Sequence, residues 1–231
     1  MTVEVLFNEV CGLFGDAFNA QYLEKCIPDS EFIYTALCDK PYFEDNTPDI
    51  ILMGAMSEKT QRAVIKKLLP LKNRILELID KGVVFLATGN AFEVFTKEID
   101  YVSEEIKSEG LGIFDLTVKT DYFNRYNGKV LGKFNGEFEI TGIRSQFSFV
   151  YGNNSDGYLV KSDMGIGINP ESKLEGVRRN NFFGTHLLGP VLVQNPPLCE
   201  YIISLAGGTP RLAFEEQARS AYTQRLKEMK E

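Results

Sequence analysis

Histidine is nearly absent from this chain of 231 residues: His186 is the only one. Four cysteines, Cys11, Cys26, Cys38 and Cys199, show no CxxC spacing. A zinc site is therefore not expected, and the thiols are expected to be reduced and packed as small hydrophobes. Long apolar runs are missing too, with no stretch near the roughly 18 residues that span a bilayer. The opening Met1-Thr2-Val3-Glu4-Val5 reads as a strand, with no basic segment leading into an apolar one. No signal peptide is expected, and a cytoplasmic location is. Positive charge is in deficit: 25 Lys and Arg stand against 32 Asp and Glu, a net −7. The basic residues are scattered, which argues against nucleic acid as a partner. There is no GxxxxGK[ST] loop. Gly110-Leu111-Gly112 and Gly165-Ile166-Gly167 lack the strand-GxGxxG-helix setting of a dinucleotide site, so no cofactor is expected. Asn153-Asn154-Ser155-Asp156-Gly157 lacks the regular acids and distal Glu of a calcium loop and reads as a turn. No linker, repeat or low-complexity tract interrupts the chain, so one domain over residues 1–231 is expected, with 44% apolar residues to fill its core.

What is present alternates between strand and helix. Val3–Asn8 reads as a strand, and Asp16–Cys26 carries Phe18, Tyr22, Leu23 and Cys26 on one helical face. Glu31–Leu37 and Asp49–Gly54 read as strands, the second fully apolar, as in a parallel sheet covered on both sides. Ser57 is a candidate N-cap for a helix running to about Asp80 and interrupted near Pro70. Val83–Ala87 is another strand. This order argues for an α/β sandwich. From Ile113 the pattern shifts to short strands between Asn/Gly turns: Ile113–Lys119, Lys129–Phe134, Glu137–Gly142 and Gln146–Val150. They suggest an antiparallel extension. Asn181–Leu188 reads as one more strand, and Asn195–Leu205 and Glu215–Met229 as closing helices.

The turn at Thr88-Gly89-Asn90-Ala91 links Val83–Ala87 to a helix start at Phe92–Phe95. Many α/β enzymes place a Ser or Cys nucleophile at such a corner, beside free backbone N–H groups. The sequence puts Thr88 there.

Three stretches, in order, resemble class I glutamine amidotransferases of the cobyric acid synthase type. Within that class the likeness runs to the amidotransferase subunits of lipid II isoglutaminyl synthases. Gly54-Ala55-Met56-Ser57-Glu58-Lys59-Thr60-Gln61 resembles the family's Gly-Gly-Gly-Ser-Asp-Arg-Glu-Gln loop. Leu86-Ala87-Thr88-Gly89-Asn90-Ala91-Phe92 lies where the family has its Cys-Gly-Gly-Tyr-Gln elbow. Gly184-Thr185-His186-Leu187-Leu188-Gly189-Pro190, with Asn195 after it, is similar to Gly-Thr-Tyr-Leu-His-Gly-Pro. Gly110–Asp115 and Arg125 match lesser features, and Thr141–Gln146 lies where the family often reads Gly-Phe-Glu-Asn-His. The resemblance covers roughly residues 50–200. It implies a flavodoxin-like three-layer α/β fold, a mostly parallel sheet with an antiparallel extension, and a synthetase partner of the Mur-ligase type acting on a peptidoglycan precursor.

The resemblance also implies chemistry that the residues do not supply. Glutamine hydrolysis needs a thiolate, an imidazole and oxyanion donors. Thr88 stands at the nucleophile position and Leu188 at the base position, and Gln146 replaces the family's other His. His186 lies two residues before Leu188, on the same side of an extended segment and about 6.5–7 Å away, which makes it the one candidate imidazole. Ala55 and Gly89 mark the donor positions. Gln61 and Arg125 are candidate contacts for a ligand carboxylate or a partner. The reading is a noncatalytic amidotransferase-like subunit that retains, at most, binding of glutamine or a related small molecule. Two alternatives stand beside it. One is an active amidotransferase using Thr88 or a nearby Cys. The other is a homo-oligomer formed through Phe123, Tyr126, Phe147, Phe149 and Tyr151.

Overall fold

The computed structural model describes residues 1–231. The first part of the chain alternates as expected: β1 (Thr2–Leu6), α1 (Ala17–Cys26), β2 (Glu31–Thr35), β3 (Ile50–Met53), α2 (Glu58–Leu68), α3 (Lys72–Asp80) and β4 (Val84–Thr88). The Ser57 Oγ accepts the Thr60 N–H at 3.2 Å and caps α2. Pro70 sits in a 3-10 turn, Leu69–Leu71, that separates α2 from α3.

The rest is richer in strands than the sequence suggests. It comprises β5 (Glu98–Tyr101), β6 (Ile106–Glu109), β7 (Thr117–Thr120), β8 (Tyr126–Phe134), β9 (Phe138–Gln146), β10 (Ser148–Tyr151), β11 (Val160–Met164), β12 (Leu174–Glu175), β13 (Val177–Arg179) and β14 (Phe182–Thr185). Helices α4 (Val191–Gln194), α5 (Pro196–Leu205) and α6 (Glu215–Lys230) follow. The strand expected at Ile113–Lys119 starts only at Thr117. β5, β6 and β11–β13 were not legible. β5 and β6 carry Glu, Asp and Lys on their open side, so no apolar run marks them.

The central sheet has the order β13-β14-β4-β3-β1-β2. β1 pairs in parallel with β2 and β3, β3 with β4, and β4 with β14, while β13 is antiparallel. The parallel part, β2-β1-β3-β4-β14, is the flavodoxin-like order. β3 and β4 are buried on both faces, as their apolar runs require. Ile50, Leu52, Val84 and Leu86 pack with α1 and α5, whereas Ile51, Met53, Phe85 and Ala87 pack with α2 and α3. Two further four-stranded sheets, β10-β7-β5-β6 and β12-β11-β8-β9, form the extension. It is not purely antiparallel, since β5 and β7 pair in parallel. All four cysteines are free. Cys11, Cys26 and Cys199 are buried, but Cys38 is exposed rather than packed. No helix is long and apolar enough to cross a membrane.

This topology decides where a site can form. In open α/β sheets ligands bind beyond the carboxyl ends of the strands, at the point where strand order reverses. Here the reversal lies between β1 and β3. The segments leaving β1, β3, β4 and β14 converge there.

Candidate functional site

The converging segments enclose a cavity of about 160 Å³. Its walls include Phe14, Met56, Gly89, Asn90, His186 and Leu188, and Arg125 reaches it from the extension. Thr88 is not among them. Strand parity explains this: Thr88 follows Leu86 on the α1 face of β4. There it lines a separate void of about 10 Å³ with Asn8, Asp16 and Asn19. Thr88 has extended backbone, φ −109° and ψ 154°, and is 1% exposed.

The corner residue is instead Gly89, whose φ is +60°. The segment that begins with it, Gly89–Phe95, is a 3-10 helix that takes in the helix start expected at Phe92–Phe95. A Cβ on Gly89 would stand 2.5 Å from the Ala55 Cβ and 3.4 Å from the Leu188 Cδ2. Ala55 and Leu188 thus fill the space a side chain at position 89 would need. Sequence reading placed the corner one residue early because Thr88 is the polar residue of the turn. The signal available for Gly89 was the preference of glycine for positive φ.

The donor loop after β3 is also taken. The Ala55 N–H donates to Asp16 Oδ2 at 2.6 Å, and the Met56 N–H donates to Asn90 Oδ1 at 2.9 Å. Burial pushes the Asp16 carboxyl up to about 6, opposed by the Ala55 N–H, the nearby Thr88 hydroxyl and Gly189 N–H. Its Oδ1 packs over Gly189 without a full hydrogen bond. A carboxyl with a raised folded pKa favours folding when protonated. Its contribution is full below about pH 4 and lost as pH rises through about 6. The stability difference between the wild type and Asp16→Asn should therefore fall by roughly 2 kcal/mol from pH 4 to pH 6. Urea denaturation across that range checks it. A pH-independent difference would show that Asp16 keeps an ordinary affinity for its proton.

His186 lines the cavity yet has no free lone pair. Its Nδ1 lies 3.0 Å from Arg144 Nη2, and a guanidinium only donates, so Nδ1 accepts. Nε2 then carries the proton and donates to Glu93 Oε1 at 2.9 Å. Burial and the Arg144 charge hold the imidazole below its ordinary pKa, in the neutral form. Glu93 also accepts from Gln61 Nε2, at 2.9 Å, and from the Ser148 hydroxyl. Glu175 takes the Thr185 hydroxyl and the His186 N–H, both at 2.9 Å. Arg144 is 0% exposed, and donates further to Gln146 Oε1 and the Ile166 and Gly167 carbonyls. Sequence reading singled out neither Glu93 nor Arg144. Only β9 and the elbow segment, distant in sequence, bring them together.

Gln61, a candidate contact for a ligand carboxylate or a partner, is fully buried. It bridges Asn90 O, Glu93 and the Tyr101 hydroxyl. Arg125 is exposed, bonds Ser145 Oγ through Nε and Nη2, and lies 5.3 Å over the Phe147 ring. It is the one candidate of that pair free to meet a ligand at the mouth. Of the aromatic residues named for self-association, Phe123 is 89% exposed, whereas Tyr126, Phe147 and Phe149 are half-buried.

Known proteins share this arrangement of strands. A glutamine amidotransferase crystal structure aligns with TM-score 0.57 at 15% identity, over 89% of this chain and 98% of that one. This chain has a glutamine amidotransferase fold. A glutamine amidotransferase from Thermotoga maritima aligns over the whole of this amidotransferase-like chain with TM-score 0.50 and 11% identity. In sequence this chain is 28% identical over 168 residues to the lipid II isoglutaminyl synthase (glutamine-hydrolyzing) subunit GatD of Staphylococcus aureus. It is 27% identical over 167 residues to the subunit of the same name from Streptococcus pneumoniae. The matches cover 72% and 71% of this chain, and 67% and 63% of those relatives. No family model matches.

Proposed function

We propose that this chain is a noncatalytic amidotransferase-like subunit, one domain over residues 1–231, that serves a synthetase of the Mur-ligase type in modifying a peptidoglycan precursor. The partner class rests on the GatD resemblance, since both relatives are named as subunits of a lipid II isoglutaminyl synthase. The loss of chemistry rests above all on the elbow. The positive φ there belongs to Gly89, and Ala55 occupies the space of the missing side chain. We assign the nucleophile position to Gly89 rather than Thr88, and keep Leu188 at the base position beside it. Each remaining catalytic requirement is unmet in the same way. The loop donors are bonded to Asp16 and Asn90, and the His186 lone pair is bonded to Arg144.

The alternative, hydrolysis through Thr88, would need its hydroxyl to meet both substrate and base. Thr88 faces Asp16 in a void with room for about one water. The deciding assay is ammonia release from L-glutamine by the purified chain, alone and with its synthetase. We expect no release above the uncatalysed rate, and no change on Thr88→Ala. Enzyme-like turnover that Thr88→Ala abolishes would sink the proposal.

A further inference from the structure

Asn90 is the one side chain of the elbow turned onto the cavity wall, and it pairs with a single residue through two hydrogen bonds. The Met56 N–H donates to its Oδ1 at 2.9 Å, and its Nδ2 donates to the Met56 carbonyl at 2.8 Å. The double contact fixes the amide's orientation, because the reverse setting would face donor against donor. Few groups match such an edge. A carboxylate has no donor for the carbonyl and an ammonium has no acceptor for the N–H, whereas a primary carboxamide has both. The Asn90 backbone is held in place separately, its carbonyl accepting from Gln61 Nε2 at 2.8 Å. Its side chain is half-buried beside the opening, so only a side-chain rotation separates the paired state from a free Met56 edge.

We propose that the Asn90 carboxamide is a built-in occupant of the cavity's amide-recognising edge and keeps primary carboxamide ligands out. The inference rests on the noncatalytic reading and adds what the retired pocket refuses. Two neutral hydrogen bonds made within the chain compete with the same two bonds to a ligand, so their removal should raise carboxamide affinity about tenfold or more.

The test compares the full-length wild type with Asn90→Ala by calorimetric titration. L-Glutamine serves as probe, and L-norleucine, of similar length without the amide, as control. Asn90→Ser, which is too short to span both Met56 groups, is the second variant, and circular dichroism melts confirm folding of each. We expect saturable L-glutamine binding by both variants, at least tenfold weaker or absent binding by the wild type, and no gain for L-norleucine. Wild-type binding as tight as that of the variants overturns the proposal. A gain shared by L-norleucine, or none in either folded variant, does so too. Ammonia release by the wild type would instead refute the noncatalytic reading, and the titrations would remain interpretable.

Discussion

Gly89→Cys should destabilise the protein by about 3 kcal/mol, and Ala55→Gly should recover a large part of that loss. The first figure combines overpacking, at about 1–3 kcal/mol, with a left-handed backbone at a residue bearing a Cβ, at about 1–2 kcal/mol. The Cβ of the new cysteine would meet the Ala55 Cβ at 2.5 Å, and that overlap is the part Ala55→Gly removes. The backbone strain remains, as it does at functional elbows that carry a nucleophile. A double-mutant cycle should therefore show favourable coupling of about 1–2 kcal/mol. Thermal melts suffice to read it, at roughly 2–4 °C per kcal/mol for a chain of this size. Equal losses in both backgrounds would mean that Ala55 does not hold the site shut. A chemical readout is independent of stability. A thiol at position 89 in the Ala55→Gly background should react with iodoacetamide from the cavity, whereas Thr88→Cys should stay protected behind β4.

Arg144→Met should cost about 3–5 kcal/mol, because it leaves the buried Gln146 Oε1, His186 Nδ1 and the Ile166 and Gly167 carbonyls without their donor. The melting temperature should fall by about 6–20 °C. Combining it with Glu93→Gln should cost less than the sum of the two single changes, since the pair removes opposite charges from one network. The same substitution frees the His186 Nδ1 lone pair and removes the cation beside the ring, so the imidazole pKa should rise from its depressed value. With the depressed pKa of the wild type, neutral His186 supports folding above about pH 6.5, and that support is lost as pH falls. NMR titration of the only imidazole in the chain follows this directly. A loss below about 1 kcal/mol with an unmoved titration would show that the network is not what holds His186 neutral.

The parallel half of the fold was legible because its central strands, β3 and β4, are covered on both sides. Ile50–Met53 and Val84–Ala87 read as unbroken apolar runs, and a run of four or five apolar residues between helical patterns has few other uses. The Ser57 cap and the Pro70 interruption are local chemistry, and both occur where the sequence puts them. β5 and β6 were hidden because a short strand with charged residues on its open face looks like a loop. In the site, the sequence singled out Leu188 and His186, and both line the cavity. The position of the corner could not be read in the same way, since a shift of one residue along β4 exchanges a cavity wall for the α1 face.

By itself, then, the sequence determined the class of fold and the shortage of reactive groups: one His, and no thiol at the turn after β4. Both are properties of residue identity and of short-range pattern, which folding does not alter. Tertiary structure alone decided which residue stands at the corner, what fills the space beside it, and where every remaining donor and lone pair is spent. Those depend on groups far apart in the chain, Ala55 with Gly89 and Arg144 with His186, meeting at distances that no local pattern encodes.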